Sequence, residues 1–455
     1  MTDALPRLSP ETLASVPADT RFTHDRAQTS LGIIHFGIGA FHRAHQAWYT
    51  DRAMDAGDTR WGICGVSLRS ASVAEQLMPQ GGLYTVAERG AGAPRLRVVG
   101  AVHEVLVGPD DRAAILERLA SPDTHIASFT VTEKGYCRKA DGNLDLERAD
   151  KGSIYGFLGE GLARRRAQGL PGLTLLSCDN LADNGRTLER LLGQWCAHHD
   201  PELGAWIAQT CTFPGTMVDR IVPATTDADR AAVAQQLGLA DEACVVTEAF
   251  SQWVIEDRFA GPRPAWEDVG AQIVAEVTPY EAAKLRMLNG AHSALAYIGL
   301  AAGHTFVHEA VADPAIRPRI EDLMRKEAAP TLTPAPGQDL DAYAKALLAR
   351  FENPALAHRL AQIAMDGSQK IPQRWLETLE ANHEAGRSCP AILAALKAWF
   401  CHLRGANGPL EDPMADELTA LARAHEDDEL ARRLFAPEGL LGGIWNADPA
   451  EIFGG

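Results

Sequence analysis

Lys284, Asn289 and His292 fall within one short stretch, Tyr280-Glu281-Ala282-Ala283-Lys284-Leu285-Arg286-Met287-Leu288-Asn289-Gly290-Ala291-His292. At about 100° per helical residue, Asn289 lies about 140° around from Lys284 and His292 about 80°. A helix therefore holds all three in one sector, with His292 between the others. A lysine, an amide and an imidazole facing one cavity can move a proton and polarise a carbonyl. A solvated lysine, a cap-like asparagine and a core histidine are the plain alternative. Thr278 is suited to the N-cap, Pro279 to the first helical position, and Glu281 completes a Thr-x-x-Glu capping box. These residues fix the start of the helix just ahead of Lys284.

Such a helix needs a partner that holds the other reactant. Leu31-Gly32-Ile33-Ile34-His35-Phe36 is a short apolar run that ends at Gly37-Ile38-Gly39-Ala40-Phe41-His42 and passes into a helical pattern. Strand, glycine turn and helix form the opening of a dinucleotide-binding unit, in which glycines let the backbone approach a pyrophosphate. Ile34, Gly37, Ile38, Gly39, Ala40, Phe41 and His42 are the candidate cofactor-binding residues, although His42 stands where the third glycine would be. Further strands are expected at 62–66, 97–105, 126–131 and 173–177, with helices over 112–119 and 155–168. This alternation predicts a largely parallel sheet. Two strands run into polar clusters, Thr132-Glu133-Lys134-Gly135-Tyr136 and Cys178-Asp179-Asn180. Ligands of open α/β sheets bind beyond the carboxyl ends of strands, so both clusters are site candidates as well as ordinary turn sequences. After about residue 276 helical periodicity takes over. The expectation is an α/β chain: a Rossmann-like domain over 1–275, then a mostly α-helical substrate domain over 276–455.

Bulk properties narrow the partners. The chain has 455 residues, 46% of them hydrophobic, and a formal charge of −17, which argues against a nucleic-acid surface. No run approaches the ~18 apolar residues of a membrane span. The opening Met1 to Pro6 lacks the basic region and apolar core of a secretory signal, and a cytoplasmic location is expected. Eight scattered cysteines without Cys-x-x-Cys argue against a disulfide framework or a zinc site. His308-Glu309 lacks the second histidine of a zinc helix, so no metal is expected. Together the parts predict a cleft that holds a nicotinamide and a small polar substrate. There Asn180 and Asn289 face the reacting oxygen, and Lys284 exchanges the proton if its environment lowers its pKa.

The chain resembles the mannitol dehydrogenase family, the long-chain polyol dehydrogenases. The marks are Lys284-x4-Asn289-x2-His292, Gly37-x-Gly39-x-Phe41-His42-Arg43-Ala44-His45, and Thr132-Glu133-Lys134-Gly135-Tyr136. Ser177-Cys178-Asp179-Asn180, Met217-Val218-Asp219-Arg220-Ile221 and Asp366-Gly367-Ser368-Gln369-Lys370 complete the set. The resemblance implies a metal-independent reaction with Lys284 as general base or acid and Glu281 as a proton-relay carboxylate beside its capping role. It implies that Asn180 and Asn289 bind the reacting oxygen, while Asp219, His292 and Lys370 orient substrate hydroxyls. Glu133 and Asn180 join the cofactor set. A monomer or dimer is implied.

Gln362 stands where mannitol-specific members tend to carry arginine. That favours the sugar-acid branch, which interconverts D-fructuronate and D-mannonate, over mannitol or D-arabinitol. His358 and Arg359 are the candidates for a uronate carboxylate, with a solvated helix face as their alternative. NAD is implied by the resemblance. Arg69, where an acid usually meets the ribose 2′-hydroxyl, also tolerates the phosphate of NADP. Tyr280-x3-Lys284 has the spacing of the short-chain dehydrogenases and gives a rival reading with Tyr280 as the acid. A protein that senses NAD without turnover is a second rival.

Overall fold

The computed structural model describes residues 5–445 apart from 91, 140 and 151. The chain divides into two compact units, one ending at Val277 and one beginning at Thr278.

Five strands of the first unit form a wholly parallel sheet: β1 (Ile33–Phe36), β2 (Ile63–Ser67), β3 (Val102–Val107), β4 (Ile126–Phe129) and β5 (Thr174–Ser177). Their spatial order is β3-β2-β1-β4-β5. β1, β4 and β5 are buried at every residue, as strands covered on both faces must be. The order reverses between β1 and β4, so their carboxyl ends mark the crevice in which such sheets bind ligands. His35 is a polar residue in the middle of buried β1. Its cross-strand neighbour in the register is Ser128, and Nδ1 lies 2.8 Å from the Ser128 hydroxyl.

The single strand expected over 97–105 is two strands in different sheets. Arg95–Val99 pairs antiparallel with Tyr84–Arg89, whereas β3 joins the parallel sheet. Gly100 makes the break. Its N–H donates to the buried Asp51 carboxylate at 2.7 Å, and a Cβ there would stand 2.5 Å from the Phe22 ring. Tyr84–Arg89 also pairs with Val245–Glu248, and a further small sheet contains Thr216–Asp219, Gln252–Glu256 and Gln272–Val274. None of Tyr84–Arg89, Thr216–Asp219, Val245–Glu248 or Gln252–Glu256 was legible as an apolar alternation.

The second unit is helical. Helices Gly290–Ala301, Leu340–Phe351 and Pro390–Leu403 pack around one core that includes Leu295, Phe351, Trp375, Trp399 and Phe400. Gly290–Ala301 is buried on nearly all sides, which is the pattern of a central helix. Among the described residues no helix is long and apolar enough to cross a membrane.

Candidate active site

The first unit presents the glycine turn at the end of β1. Gly37 has φ +98°, and a Cβ there would lie 2.1 Å from the Thr130 carbonyl oxygen, so only glycine fits. Gly39 differs: a Cβ would meet only the Gly37 oxygen at 3.9 Å, so the space beside it is open. Gly39 also caps the helix Ala40–Ala44. The turn thus offers a backbone cradle of the kind a pyrophosphate requires, and a dinucleotide fits it.

The turn is braced from beneath. The Thr130 hydroxyl donates to the Gly37 carbonyl at 2.7 Å, and His35 Nε2 is 2.8 Å from the same hydroxyl. Ile34 and His42, expected to touch the cofactor, are fully buried. Ile34 belongs to the sheet core, and the His42 ring stacks on His35 with centroids 3.4 Å apart. Ile38 is also buried, filling the space opposite Gly65. Gly37, Gly39, Ala40 and Phe41 keep accessible surface, as does Arg69 beyond β2. The position of the missing third glycine therefore serves packing.

The two polar clusters form one clamp. Asp179, after β5, accepts from the Val131 and Thr132 backbone N–H groups at 3.0 and 2.8 Å and from the Tyr136 hydroxyl at 3.0 Å. Burial raises its pKa against these donors. The fully buried Asn184 ties this loop onward, donating to the Asp179 and Thr216 carbonyls at 3.1 and 2.8 Å. Asn180 and Glu133 are exposed on the clamped loops, and buried Asp219 ends the strand that Asn184 holds. Tyr136 and Asp179 fall inside the two clusters singled out in the sequence, but their pairing and the part played by Asn184 were not recognised there. The Tyr136–Asp179 pair spans 43 positions and the Asn184–Thr216 pair 32, so no local spacing signals them.

In the second unit Lys284–Asn289 is a turn of π-helix set between α-helical Thr278–Ala283 and Gly290–Ala301. Thr278 is itself helical, and the Gly290 N–H donates five residues back to the Leu285 carbonyl. A five-residue bond takes one more residue into the turn, so residues five apart come onto one face. Lys284 and Asn289 are therefore brought closer together than 100° per residue allows. Arg286 holds the turn from outside through the Thr331 hydroxyl at 2.9 Å and Glu377 at 3.2 Å.

Around this turn the unit gathers basic side chains. His292 is in ring contact with Phe351 at 4.8 Å and His358 at 5.5 Å. Burial, followed by Arg350, His358 and Arg374, holds its imidazole well below the ordinary histidine pKa, so it is neutral. Lys370 Nζ donates to the Met365 carbonyl at 2.5 Å, and burial lowers its pKa, with Arg374 acting the same way. Asp366, at φ +56°, and Gly367, whose Cβ would strike Trp399 and Tyr297 at 2.7 Å, fix the approach to Lys370. Arg374, one turn further on, was missed in the sequence. Its Nη1 donates to the Ser293 hydroxyl at 2.7 Å and the Asn289 carbonyl at 3.3 Å.

Arg359 follows His358, the ring partner of His292, in the chain. It is exposed, lies over the Phe306 ring at 5.1 Å and shares no hydrogen bond or ring contact with His292, Asn289 or Lys370 among the described residues. Glu309, beside His308, caps its own helix by accepting from Thr305 and Phe306 N–H groups.

With this geometry in place, two family models settle the affiliation: a mannitol dehydrogenase Rossmann domain over residues 31–268 and a mannitol dehydrogenase C-terminal domain over 276–448. The chain belongs to the mannitol dehydrogenase family. It is an oxidoreductase of that family, with a Rossmann-like unit followed by a helical one. The family member D-mannonate oxidoreductase of Escherichia coli is 42% identical, over 92% of this chain and 90% of its own. A mannitol 2-dehydrogenase of Phaeosphaeria nodorum is 39% identical, over 91% and 77%. Mannitol 2-dehydrogenase of Pseudomonas fluorescens, solved in ternary complex with NAD and D-mannitol, has a TM-score of 0.81 at 37% identity, covering 98% of this chain and 95% of its own.

Proposed function

We propose that the chain reduces the keto group of a sugar acid, D-fructuronate, to the secondary alcohol of D-mannonate, and oxidises it in reverse, with NAD(H) as cofactor. The observation that carries the reading is the pair of cations, Arg350 and Arg374, acting on neutral His292, with Lys370 next to Arg374, in a chain whose net charge is −17. Basic side chains gathered in one part of an acidic protein suit an anionic substrate. The 42% identity to a D-mannonate oxidoreductase supports the same choice.

The bound nicotinamide supplies or accepts the hydride. Lys284 gives its ammonium proton to the developing alkoxide during reduction and takes it back, as free amine, during oxidation. The Asn180 and Asn289 amides donate to the reacting oxygen, where negative charge builds. Asp219, His292 and Lys370 orient the remaining hydroxyls. Glu281, half-buried one turn before Lys284, is placed in sequence to pass the proton onward. Gly37, Gly39, Ala40 and Phe41 receive the dinucleotide, and Glu133 joins them.

The test is a panel of D-fructuronate, D-tagaturonate, D-fructose and D-xylulose, each with NADH and NADPH. The expected result is the highest kcat/KM for fructuronate with NADH. A clear preference for fructose moves the chain to the mannitol branch, and a preference for NADPH assigns Arg69 to the 2′-phosphate.

A further inference from the structure

Arg374 is a half-buried cation without a counter-ion. Among the described residues it forms no ion pair, and its Nε and Nη2 have no hydrogen-bond partner, since Nη1 makes both of its contacts. The acids nearby are committed elsewhere. Asp412 accepts from Ser368, and Asp366 stands 3.9 Å from Lys370. Burial brings the Arg374 pKa down to about 10, opposed only by Tyr297, which leaves the guanidinium charged at neutral pH. Folded proteins seldom leave a partly buried charge unpaired, because desolvation then goes uncompensated. The anchoring of Nη1 by Ser293 and Asn289 also fixes the orientation of the fork, whose remaining N–H groups match the two oxygens of a carboxylate.

Resting on the sugar-acid reading above, we propose that Arg374, not Arg359, binds the substrate carboxylate and so decides between sugar acids and uncharged polyols. Lys370, one turn earlier, adds charge to the same subsite. The contact with the Asn289 carbonyl links the carboxylate-binding group to the turn that carries Lys284. An acid seated on Arg374 is thereby set in register with the reacting carbon.

The test compares wild type, Arg374→Met and Arg374→Lys on D-fructuronate and on D-fructose, with NADH. The loss of a charge-assisted hydrogen bond predicts that the fructuronate-to-fructose ratio of kcat/KM falls about 10- to 100-fold in Arg374→Met, mainly through KM. Arg374→Lys should restore part of the ratio. If Arg374→Met does not fold, the same ratio in Arg374→Lys, which keeps the charge but loses the fork, must still fall. An unchanged ratio in a folded variant overturns the assignment, as does a rise confined to the KM of NADH, which would place a cofactor phosphate on Arg374. Failure of the wild type to reduce any uronate would sink the sugar-acid reading instead, so the two failures are distinct.

Discussion

The Tyr136 hydroxyl donates to the Asp179 carboxylate across 3.0 Å, joining the loop after β4 to the loop after β5 at the carboxyl edge of the sheet. Two motifs that are 41 residues apart at Tyr136 and Ser177 are thus one structural device, since the hydroxyls of those residues also stand 2.6 Å from each other. The device carries Glu133 on one loop and Asn180 on the other.

Breaking that link should cost stability in proportion to the partners stranded. Tyr136→Phe removes one donor to a carboxylate and is expected to cost about 1–3 kcal/mol. Asp179→Ala also strands the Val131 and Thr132 N–H groups and should cost more. Urea unfolding of both variants decides the matter. A smaller loss for Asp179→Ala than for Tyr136→Phe would show that the carboxylate is not the hub.

The two glycines of the turn should fail in different ways. Gly37→Ala forces a side chain into left-handed backbone and onto the Thr130 carbonyl, so the folded unit itself should be destabilised by several kcal/mol. Gly39→Val meets open space on the protein side and should fold normally, while weakening NADH binding at least tenfold. Thermal melting and fluorescence titration with NADH separate the two effects. Normal NADH affinity in Gly39→Val would mean that the open space is not the pyrophosphate cradle.

Lys284→Ala is expected to lower kcat by about 10²–10⁴ while NADH still binds, because general acid–base catalysis supplies a factor of that size. Tyr280→Phe is the contrasting variant. Tyr280 is 6% exposed and sits before the π turn, so its loss should leave turnover largely intact. The reverse pattern, with Tyr280 indispensable and Lys284 dispensable, would transfer the proton to the phenol.

Buried histidines give the protein an acid limit. Burial, against smaller opposing hydrogen bonds to Gly37 and Gln46, lowers the His35 pKa from 6.5 to about 3. An unfolded chain protonates this ring below about pH 6.5, whereas the folded one leaves it neutral. The stability it confers is complete above that point and drains away as pH falls toward 3, by up to ~1.4 kcal/mol per unit. His35→Gln removes the titration, so its stability deficit should shrink by about 1–2 kcal/mol between pH 7 and pH 5. A deficit that stays constant across this range would rule out the shift.

Local chemistry was written in the chain. β1, the glycine turn, helix Arg112–Leu119 and the Lys284-to-His292 helix follow from apolar periodicity and glycine, which act over a few residues. The family, and with it the Rossmann-then-helical order, was legible because its motifs are short and contiguous. Tertiary structure alone decided the rest. Gly100 redirects a run that reads as a single strand into two sheets, because the demand comes from Phe22 and Asp51. The π turn that draws Lys284 and Asn289 together packs against two others, Leu323–Ala328 and Pro372–Leu376. Asp179, Asn184 and Arg374 acquire their roles from groups far along the chain. A charge or an amide is read as functional only when its partners are known, and folding, not sequence spacing, chooses those partners.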